Sequence, residues 1–230
     1  MPRPDIDWIE GLPRHRLVAE YSMWSADLIR LAEDLVRITP HADILHVDVA
    51  DGHFAPALLF FPDLVARLRD QTALPIHVHL MVADSVLLSQ IDQFAEAGAD
   101  LISLHAENAN AGAGLDRIAA HGVSAGMVLR VETPVVQAKP WLHRLHMLTL
   151  LGTAIGVKGQ GLDAQAADRL RAAGRLIDDA NRPVLLAADG GIRDTTVPLL
   201  RAAGAETVVM GSLAFGAPDL AERMRWLHGL

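Results

Sequence analysis

The sequence predicts an α/β protein with one domain, a (β/α)8 TIM barrel. Short apolar stretches of strand length alternate with longer stretches in which apolar residues recur at helical spacing. The alternation repeats at roughly 20–40 residue intervals, enough for eight strand–helix units. The rival architecture is an open doubly wound sheet, but no Gly-rich dinucleotide-binding turn follows the first predicted strand. With 230 residues, 51% of them hydrophobic, the chain is long enough to bury one large core.

Each predicted strand leads into a predicted helix, and glycine or proline marks many of the boundaries. Gly98 and Gly122 each follow a helix, because glycine readily adopts the left-handed conformation found after a helix C-terminus. The first helix is predicted from apolar residues at helical spacing, namely Leu28, Leu31, Leu35 and Ile38. The predicted strands cover residues 16–21, 44–49, 76–81, 101–105, 125–131, 145–151, 183–188 and 207–210. The predicted helices cover residues 25–38, 62–69, 87–97, 115–121, a short stretch after Pro134, 164–180, 196–203 and the C-terminus.

Residues 1–15 are predicted to form an irregular extension that packs through Trp8 and Ile9, and residues 16–230 to form the barrel domain. The extension lacks the apolar run of a signal peptide, and no later stretch reaches transmembrane length. We therefore expect a soluble, cytoplasmic protein without a membrane partner. The net charge of -8 argues against nucleic acid as a partner. The sequence has no cysteine, so nitrogen and oxygen atoms must bind any metal.

Polar side chains at the ends of the predicted strands suggest a metal site. His46 and Asp48 are two residues apart on one strand and so point to the same side, and His79 has the same kind of position on the next strand. Active groups of such barrels lie at the C-terminal ends of the strands. Asp189, after the seventh strand, is the candidate fourth ligand, because a buried carboxylate is costly unless it is paired or bound to a cation. Asp189 capping the next turn is the alternative, but the four residues together favour a His2Asp2 site.

Several neighbouring polar residues have a simpler interpretation. A single histidine on a strand is more often a hydrogen-bonded packing residue than a ligand, and His53 and His105 are interpreted in this way. The same applies to His77, although it shares the face of His79 and would lie deeper in the barrel. Asp51 and Gly52 are interpreted as turn residues.

Glycine-bearing turns follow the last three predicted strands. Their residues are Gly156, Val157, Lys158 and Gly159 after the sixth strand, Gly190 and Gly191 after the seventh, and Gly211 and Ser212 after the eighth. Backbone N–H groups at such turns form phosphate cradles, which barrels commonly build after strands seven and eight. The alternative is that each is an ordinary loop glycine. Their shared position predicts a phosphate-binding site.

A set of motifs spread over most of the chain carries a family resemblance. The motifs are Ser22-Met23-Trp24-Ser25-Ala26-Asp27, His46-Val47-Asp48 with Gly52-His53-Phe54, His79-Leu80-Met81-Val82, Phe94-Ala95-Glu96-Ala97-Gly98-Ala99-Asp100, His105-Ala106-Glu107, Asp189-Gly190-Gly191-Ile192 and Gly211-Ser212. Together they resemble the ribulose-phosphate 3-epimerase family from about residue 18 onward. The resemblance implies an isomerase that inverts C3 of a ketose phosphate, by default D-ribulose 5-phosphate and D-xylulose 5-phosphate. It also suggests a homo-oligomer, a dimer or a hexamer.

The resemblance further implies roles for individual residues. One divalent ion, zinc, iron, manganese or cobalt, would be bound by His46, Asp48, His79 and Asp189. Asp48 and Asp189 would be the paired acid and base, working through an enediolate that the metal stabilises. The residues implied to contact the substrate are Ser22 near the metal, Met81 at the reacting centre, and Gly190, Gly191, Gly211 and Ser212 at the phosphate.

The chain departs from the family's usual pattern around the substrate. The loop after strand six, usually Asn-Pro-Gly-Phe-Gly-Gly-Gln, is here Ala154-Ile155-Gly156-Val157-Lys158-Gly159-Gln160. Lys158 is expected either to reach a phosphate or carboxylate or to be a solvated loop residue. Ala50 and Leu151 occupy positions where methionine is usual, and His77 a position where aspartate is common.

These departures leave the substrate open while the proposed ligands are intact. One alternative is an epimerase or isomerase of another sugar phosphate, such as allulose 6-phosphate or a tetrulose phosphate. A sugar-phosphate decarboxylase would need an Asp-x-Lys-x-x-Asp run, and Ala50 stands where that lysine should be. A non-catalytic sugar-phosphate-binding barrel is the remaining alternative, and the four intact candidate ligands argue against it.

Overall fold

The computed structural model describes residue 4 and residues 7–230 of the chain. In this part of the chain, eight parallel strands close into a barrel in sequence order, with β8 paired to β1. The predicted (β/α)8 barrel is therefore confirmed. The strands are β1 (Val18–Ser22), β2 (Ile44–Ala50), β3 (Ile76–Met81), β4 (Leu101–His105), β5 (Ser124–Leu129), β6 (Met147–Leu151), β7 (Leu185–Asp189) and β8 (Thr207–Met210).

Helices surround the barrel on the outside. They are α1 (Leu31–Ile38), α2 (Pro62–Gln71), α3 (Asp84–Ala97), α4 (Ala111–Ala120), α5 (Ala166–Ala180), α6 (Val197–Ala202), α7 (Ser212–Phe215) and α8 (Leu220–His228), with 3-10 helices at Met23–Ser25 and Val135–Arg144. The largest buried apolar cluster lies between the strands and these helices. Burial of this apolar surface is the main source of stability in such a fold.

The barrel interior changes in character from bottom to top. Its N-terminal end is filled by apolar side chains from several strands, and Trp8 and Leu12 pack against this cluster from below. Above it lies a set of fully buried polar side chains: Glu20, His46, His77, Ser103 and Thr207. Alternation along each strand sends every second residue inward, so the polar positions form a continuous group across neighbouring strands.

The predicted N-terminal extension lies partly outside the described residues. Ile9 is buried, as predicted, and Trp8 is partly buried against the bottom of the barrel. Residues 1–3 and 5–6 are not described, so the boundary at residue 15 stays a prediction.

The first helix begins later than its spacing predicted, at Leu31 instead of residue 25. Leu28 lies before the helix and is 51% exposed. The residues directly before the helix form a turn. The Asp27 carboxylate accepts from the N–H of Ile29, and the Asp34 carboxylate accepts from the N–H of Asp27. These side-chain bonds replace the backbone bonds of a helical turn.

Two later helices also differ from the prediction. The short helix after Pro134 is a ten-residue 3-10 helix, with Pro140 inside it. Proline has no N–H to donate, which disfavours a regular α-helix there. The single C-terminal helix predicted after β8 is instead two helices, α7 and α8, and the Asp219 carboxylate caps α8 by accepting from the N–H of Glu222. Among the described helices, none has the length and apolar character needed to cross a membrane.

Candidate metal centre and substrate pocket

Strand register brings the four predicted metal ligands together at the C-terminal end of the barrel. In the pairing of β2 with β3, Asp48 lies directly beside His79, and His46 lies two residues earlier on β2. Asp189 is the last residue of β7. One ligand atom from each of the four side chains lies within 4.8 Å of the others. The arrangement therefore offers two nitrogen and two oxygen donors to one point.

Asp48 is at the centre of this group. Its Oδ1 is 3.2 Å from His46 Nε2 and 3.4 Å from His79 Nδ1. Its Oδ2 accepts a hydrogen bond from the Ser22 hydroxyl at 2.8 Å. Asp189 Oδ2 lies farther out, 3.9 Å from His79 Nδ1. The Asp48 carboxylate is thus held at one oxygen by a hydroxyl, while the other oxygen faces both imidazoles.

The donor groups fit a divalent cation. His79 Nδ1 is fully buried and has no hydrogen-bond partner among the described residues, although it faces the carboxylates of Asp48 and Asp189. Its other nitrogen, Nε2, is 2.8 Å from His105 Nε2, so the ring is fixed with Nδ1 towards the carboxylates. A buried ring nitrogen without a partner is unfavourable unless a cation or proton satisfies it. Imidazole nitrogen with carboxylate oxygen suits several first-row divalent metals.

The two carboxylates have different proton affinities without a metal. Burial raises the pKa of Asp189 to about 6, with the negative charge of Asp48 adding to the rise against the opposing effect of His46. Burial also acts to raise the pKa of Asp48, but the His46 and His79 rings outweigh it and hold that pKa below its usual range. The pKa of His46 is well above its ordinary value, because the Asp48 and Glu20 carboxylates overcome the opposing effect of burial.

A cavity of about 280 Å³ opens above this group and reaches the loops after β6, β7 and β8. All the residues predicted to contact a substrate line it: Ser22, Met81, Gly156, Lys158, Gly190, Gly191, Gly211 and Ser212. Gly190 and Gly191 both have positive φ angles, 87° and 70°, which glycine adopts without strain. The glycine turns and the carboxylates therefore lie at one cavity, with Asp48 and Asp189 in its wall.

The loop after β6 extends along one side of the cavity and contacts the segment after β1. Lys158 Nζ donates a hydrogen bond to the Trp24 backbone carbonyl at 2.6 Å and lies 4.5 Å from the centroid of the Trp24 ring. Burial of its ammonium lowers the pKa of Lys158, against the opposing charge of Asp48. Gly156 approaches Ala55 and Pro56 so closely that a Cβ atom would lie 3.0 Å from the proline ring. Lys158 is thus a contact residue between two loops as well as a lining residue of the cavity.

His77 and Asp51 have definite structural partners, whereas the His53 side chain is exposed, so its interpretation as a packing histidine is wrong. His77 hydrogen-bonds to Glu20 and Ser103, as expected of a packing histidine. The Asp51 carboxylate accepts from the N–H groups of His53 and Phe54, which confirms its interpretation as a turn residue.

His105 and Glu20 have closer links to the centre than the sequence indicated. His105 Nδ1 lies 3.0 Å from Glu107 Oε2, while its Nε2 contacts the candidate ligand His79. Glu20 Oε2 lies 3.0 Å from His46 Nδ1. Glu20 was missed altogether, although its position two residues before Ser22 on the same strand places it on the inward face.

Comparisons with known proteins agree with one another. The model of the ribulose-phosphate 3 epimerase family matches residues 18–215. Ribulose-phosphate 3-epimerase 1 of Cupriavidus necator is 38% identical over 207 residues, which is 86% of this chain and 84% of that protein. Ribulose-phosphate 3-epimerase of Bacillus subtilis is 33% identical over 211 residues, 90% of this chain and 96% of that protein.

Solved structures with low sequence identity share the fold. A 3-hexulose-6-phosphate synthase has a TM-score of 0.66 at 17% identity, covering 93% of this chain and 99% of its own. KGPDC from Streptococcus mutans has a TM-score of 0.68 at 14% identity, covering 92% of this chain and 95% of its own. At these identities the similarity extends to the fold alone.

The raised pKa of Asp189 predicts a pH-dependent effect of its removal in metal-free protein. The folded state retains this proton up to about pH 6, whereas an unfolded aspartate loses it near 3.8, so ionisation of Asp189 lowers stability as pH rises through this window. Asp189→Asn has no charge at any pH. The melting temperature of this variant minus that of the wild type should therefore be larger at pH 7.5 than at pH 4.5, measured by calorimetry with a chelator present. Asp178→Asn, at an exposed position on α5, is the control without such a gain. An equal difference for Asp189→Asn at both pH values would contradict the prediction.

Proposed function

The chain belongs to the ribulose-phosphate 3-epimerase family, and we propose that it inverts C3 of a ketose phosphate, by default D-ribulose 5-phosphate and D-xylulose 5-phosphate. It is an epimerase, an enzyme of the isomerase class that acts on carbohydrates. The observation that carries the proposal is the convergence of Asp48 and Asp189 with His46 and His79 beside a cavity lined by glycine turns.

Inversion next to a ketone needs two proton-transfer groups. The proton on C3 must leave from one face of the carbon, and a proton must return to the opposite face. Asp48 comes from β2 and Asp189 from β7, strands separated by β8 and β1 around the barrel. The carboxylates can therefore approach one bound carbon from different directions. In the proposed reaction, one removes the C3 proton and the other supplies a proton, and the reverse reaction exchanges their roles.

The cation site is proposed to consist of His46, Asp48, His79 and Asp189. When bound there, a divalent cation supplies Lewis acidity that stabilises negative charge on the substrate oxygens next to the reacting carbon. The buried Nδ1 of His79, which has no hydrogen-bond partner in the part of the chain that the structure describes, supports this assignment. Zinc, iron, manganese and cobalt all suit a donor set of two imidazoles and two carboxylates.

The other proposed residues bind and orient the sugar phosphate. Ser22 donates to Asp48 and so fixes one proton-transfer group while it lines the cavity. Met81, the last residue of β3, also lines the cavity. Backbone N–H groups at the turns that contain Gly190, Gly191, Gly211 and Ser212 are proposed to bind the phosphate. The cytoplasmic location and the homo-oligomeric state, a dimer or hexamer, stay predictions that rest on the sequence and its resemblance.

A second candidate is epimerisation or isomerisation of another sugar phosphate, such as allulose 6-phosphate or a tetrulose phosphate. Leu151 and Lys158 favour it, because both line the cavity at positions where the family usually has methionine and glycine. These side chains alter the walls of the pocket but not the four proposed ligands. The reaction type is therefore the same in both candidates, and the length of the sugar distinguishes them.

Solvent exchange tests the reaction and identifies the substrate in one experiment. The purified protein is assayed for bound metal and then incubated in D2O with tetrulose, pentulose and hexulose phosphates. Loss of the C3 proton signal in the NMR spectrum identifies each substrate. Exchange fastest with D-ribulose 5-phosphate supports the first candidate, and exchange fastest with a tetrulose or hexulose phosphate supports the second. No bound metal and no exchange with any of them would refute both.

Removal of either carboxylate should remove most of this exchange. Asp48→Asn and Asp189→Asn each replace a proton-transfer group by an amide, so the exchange rate should fall by about 10²–10⁴-fold or more. Asp178→Asn on α5 is the matched control, with wild-type exchange expected. Full activity in either site variant would refute the acid–base role of that residue.

The ammonium of Lys158 is expected to contribute to substrate binding. Lys158→Met keeps the aliphatic stem but removes the ammonium from the cavity wall. If the ammonium bonds to the substrate, KM should rise by about tenfold, the effect of losing one charge-assisted hydrogen bond. The control is Lys139→Met at the other lysine of the sequence. An unchanged KM for Lys158→Met would instead mean that the ammonium does not contribute to substrate binding.

A further inference from the structure

Glu20 is a fully buried carboxylate that the proposed reaction does not use. It lies on β1, two residues before Ser22, and its exposure is 0%. An ionised carboxylate inside a barrel is unfavourable unless hydrogen bonds and nearby positive groups compensate for its lost hydration. Its contacts therefore indicate what it does.

Each partner of Glu20 is a hydrogen-bonding side chain on another strand of the barrel: His46 on β2, His77 on β3 and Thr207 on β8. Oε2 lies 3.0 Å from His46 Nδ1 and 2.8 Å from His77 Nδ1, and Oε1 lies 3.3 Å from the Thr207 hydroxyl. Since a carboxylate oxygen can only accept, both imidazoles donate through Nδ1. His77 Nε2 in turn is 2.7 Å from the Ser103 hydroxyl. The group Glu20, His46 and His77 is thus satisfied by hydrogen bonds without a cation of its own.

The two nitrogens of His46 face different environments. Nδ1 is directed down at Glu20, while Nε2 is directed up at Asp48 and the candidate metal centre. A histidine binds a metal through an unprotonated nitrogen, and a carboxylate that accepts from its other N–H fixes both the tautomer and the ring orientation. Glu20 contacts His46 with this geometry.

We propose that Glu20 is a positioning residue that holds His46 for cation binding. Its carboxylate accepts the Nδ1–H hydrogen bond, which leaves Nε2 as the donor to the cation and makes it a stronger ligand. This inference rests on the proposed function, because it takes His46 as a metal ligand. Glu20 itself does not contact the substrate or the cation.

Strand register explains why this role belongs to β1 in this chain. His46 pairs with Ser22 on one side and with His77 on the other. The residue at position 77 is thus the nearest neighbour of His46 on β3, but it is an imidazole whose Nδ1–H is already donated to Glu20. It offers no acceptor to His46. The acceptor comes instead from the opposite neighbour, β1.

The primary test is the affinity for Zn²⁺, measured by competition with a chromophoric chelator. Glu20→Gln keeps the shape of the side chain but removes its charge, and the affinity should fall by about 10–100-fold, as for other carboxylates that support a metal-binding histidine. Thr207→Val is the matched control, because it removes a buried hydroxyl that contacts Glu20 but not His46. Its Zn²⁺ affinity should remain close to that of the wild type.

A rescue variant separates a positioning role from a packing role. His77→Asp combined with Glu20→Gln returns a carboxylate to the residue that pairs with His46 from the other side. Zn²⁺ affinity should recover most of the loss in this double variant. It should not recover in Glu20→Gln combined with His77→Asn, which has the same size but no charge.

The native protein gives a further test that needs no variant to fold. In Zn²⁺-loaded wild-type protein, nitrogen-15 NMR of the imidazoles should show His46 protonated at Nδ1 and unprotonated at Nε2. The opposite tautomer, or a Zn²⁺ affinity of Glu20→Gln equal to that of the wild type, would overturn the role of Glu20 alone. If the wild type bound no Zn²⁺ and no other divalent cation, both this inference and the proposed metal site would be overturned.

Discussion

The pairing of β2 with β3 is the constraint on which the rest of the site depends. It places Asp48 beside His79 and, two residues deeper, His46 beside His77. Because side chains alternate along a strand, a slip of one residue in this register would turn Asp48 and His46 out of the barrel together. The parallel pairing therefore sets the distances among donor atoms that are far apart in the sequence. Ser22 and Glu20, from the adjoining β1, then hold the two β2 side chains from opposite ends.

The layers of the barrel have separate physical tasks. The apolar layer at the bottom, covered by Trp8 and Leu12, closes the interior to water. The polar layer above it consists of side chains that hydrogen-bond to one another. Burying these polar groups is tolerated because every one of them has a partner, and loss of one partner would make the burial of the others unfavourable. The top layer carries groups that are left incompletely paired, most clearly His79 Nδ1. The polar side chains of the top layer still have hydrogen-bonding capacity that the layer below does not use. They can therefore bind a cation and a substrate.

Much of this architecture could be predicted from the sequence, because it depends on local periodicity. His46, Asp48 and His79 lie on strands whose apolar and polar residues alternate, and the glycines after β6 to β8 lie in the loops that line the cavity. Glu20 could not be assigned in this way. Its two histidine partners lie 26 and 57 residues away on other strands, and nothing in its own stretch reveals that they meet. The contact of Lys158 with Trp24 is also long-range, 134 residues apart, and depends on how two loops meet. The start of α1 was mispredicted for the opposite reason, since bonds from Asp27 and Asp34 override a regular apolar spacing.

One cation is proposed to be bound jointly by His46, Asp48, His79 and Asp189. Crystals grown with Co²⁺ test this most directly, through an anomalous difference map recorded at the cobalt absorption edge. We expect one dominant peak within bonding distance of all four side chains, with His46 bound through Nε2 and His79 through Nδ1. A dominant peak elsewhere, or no peak among these side chains in crystals that contain the metal, would contradict it.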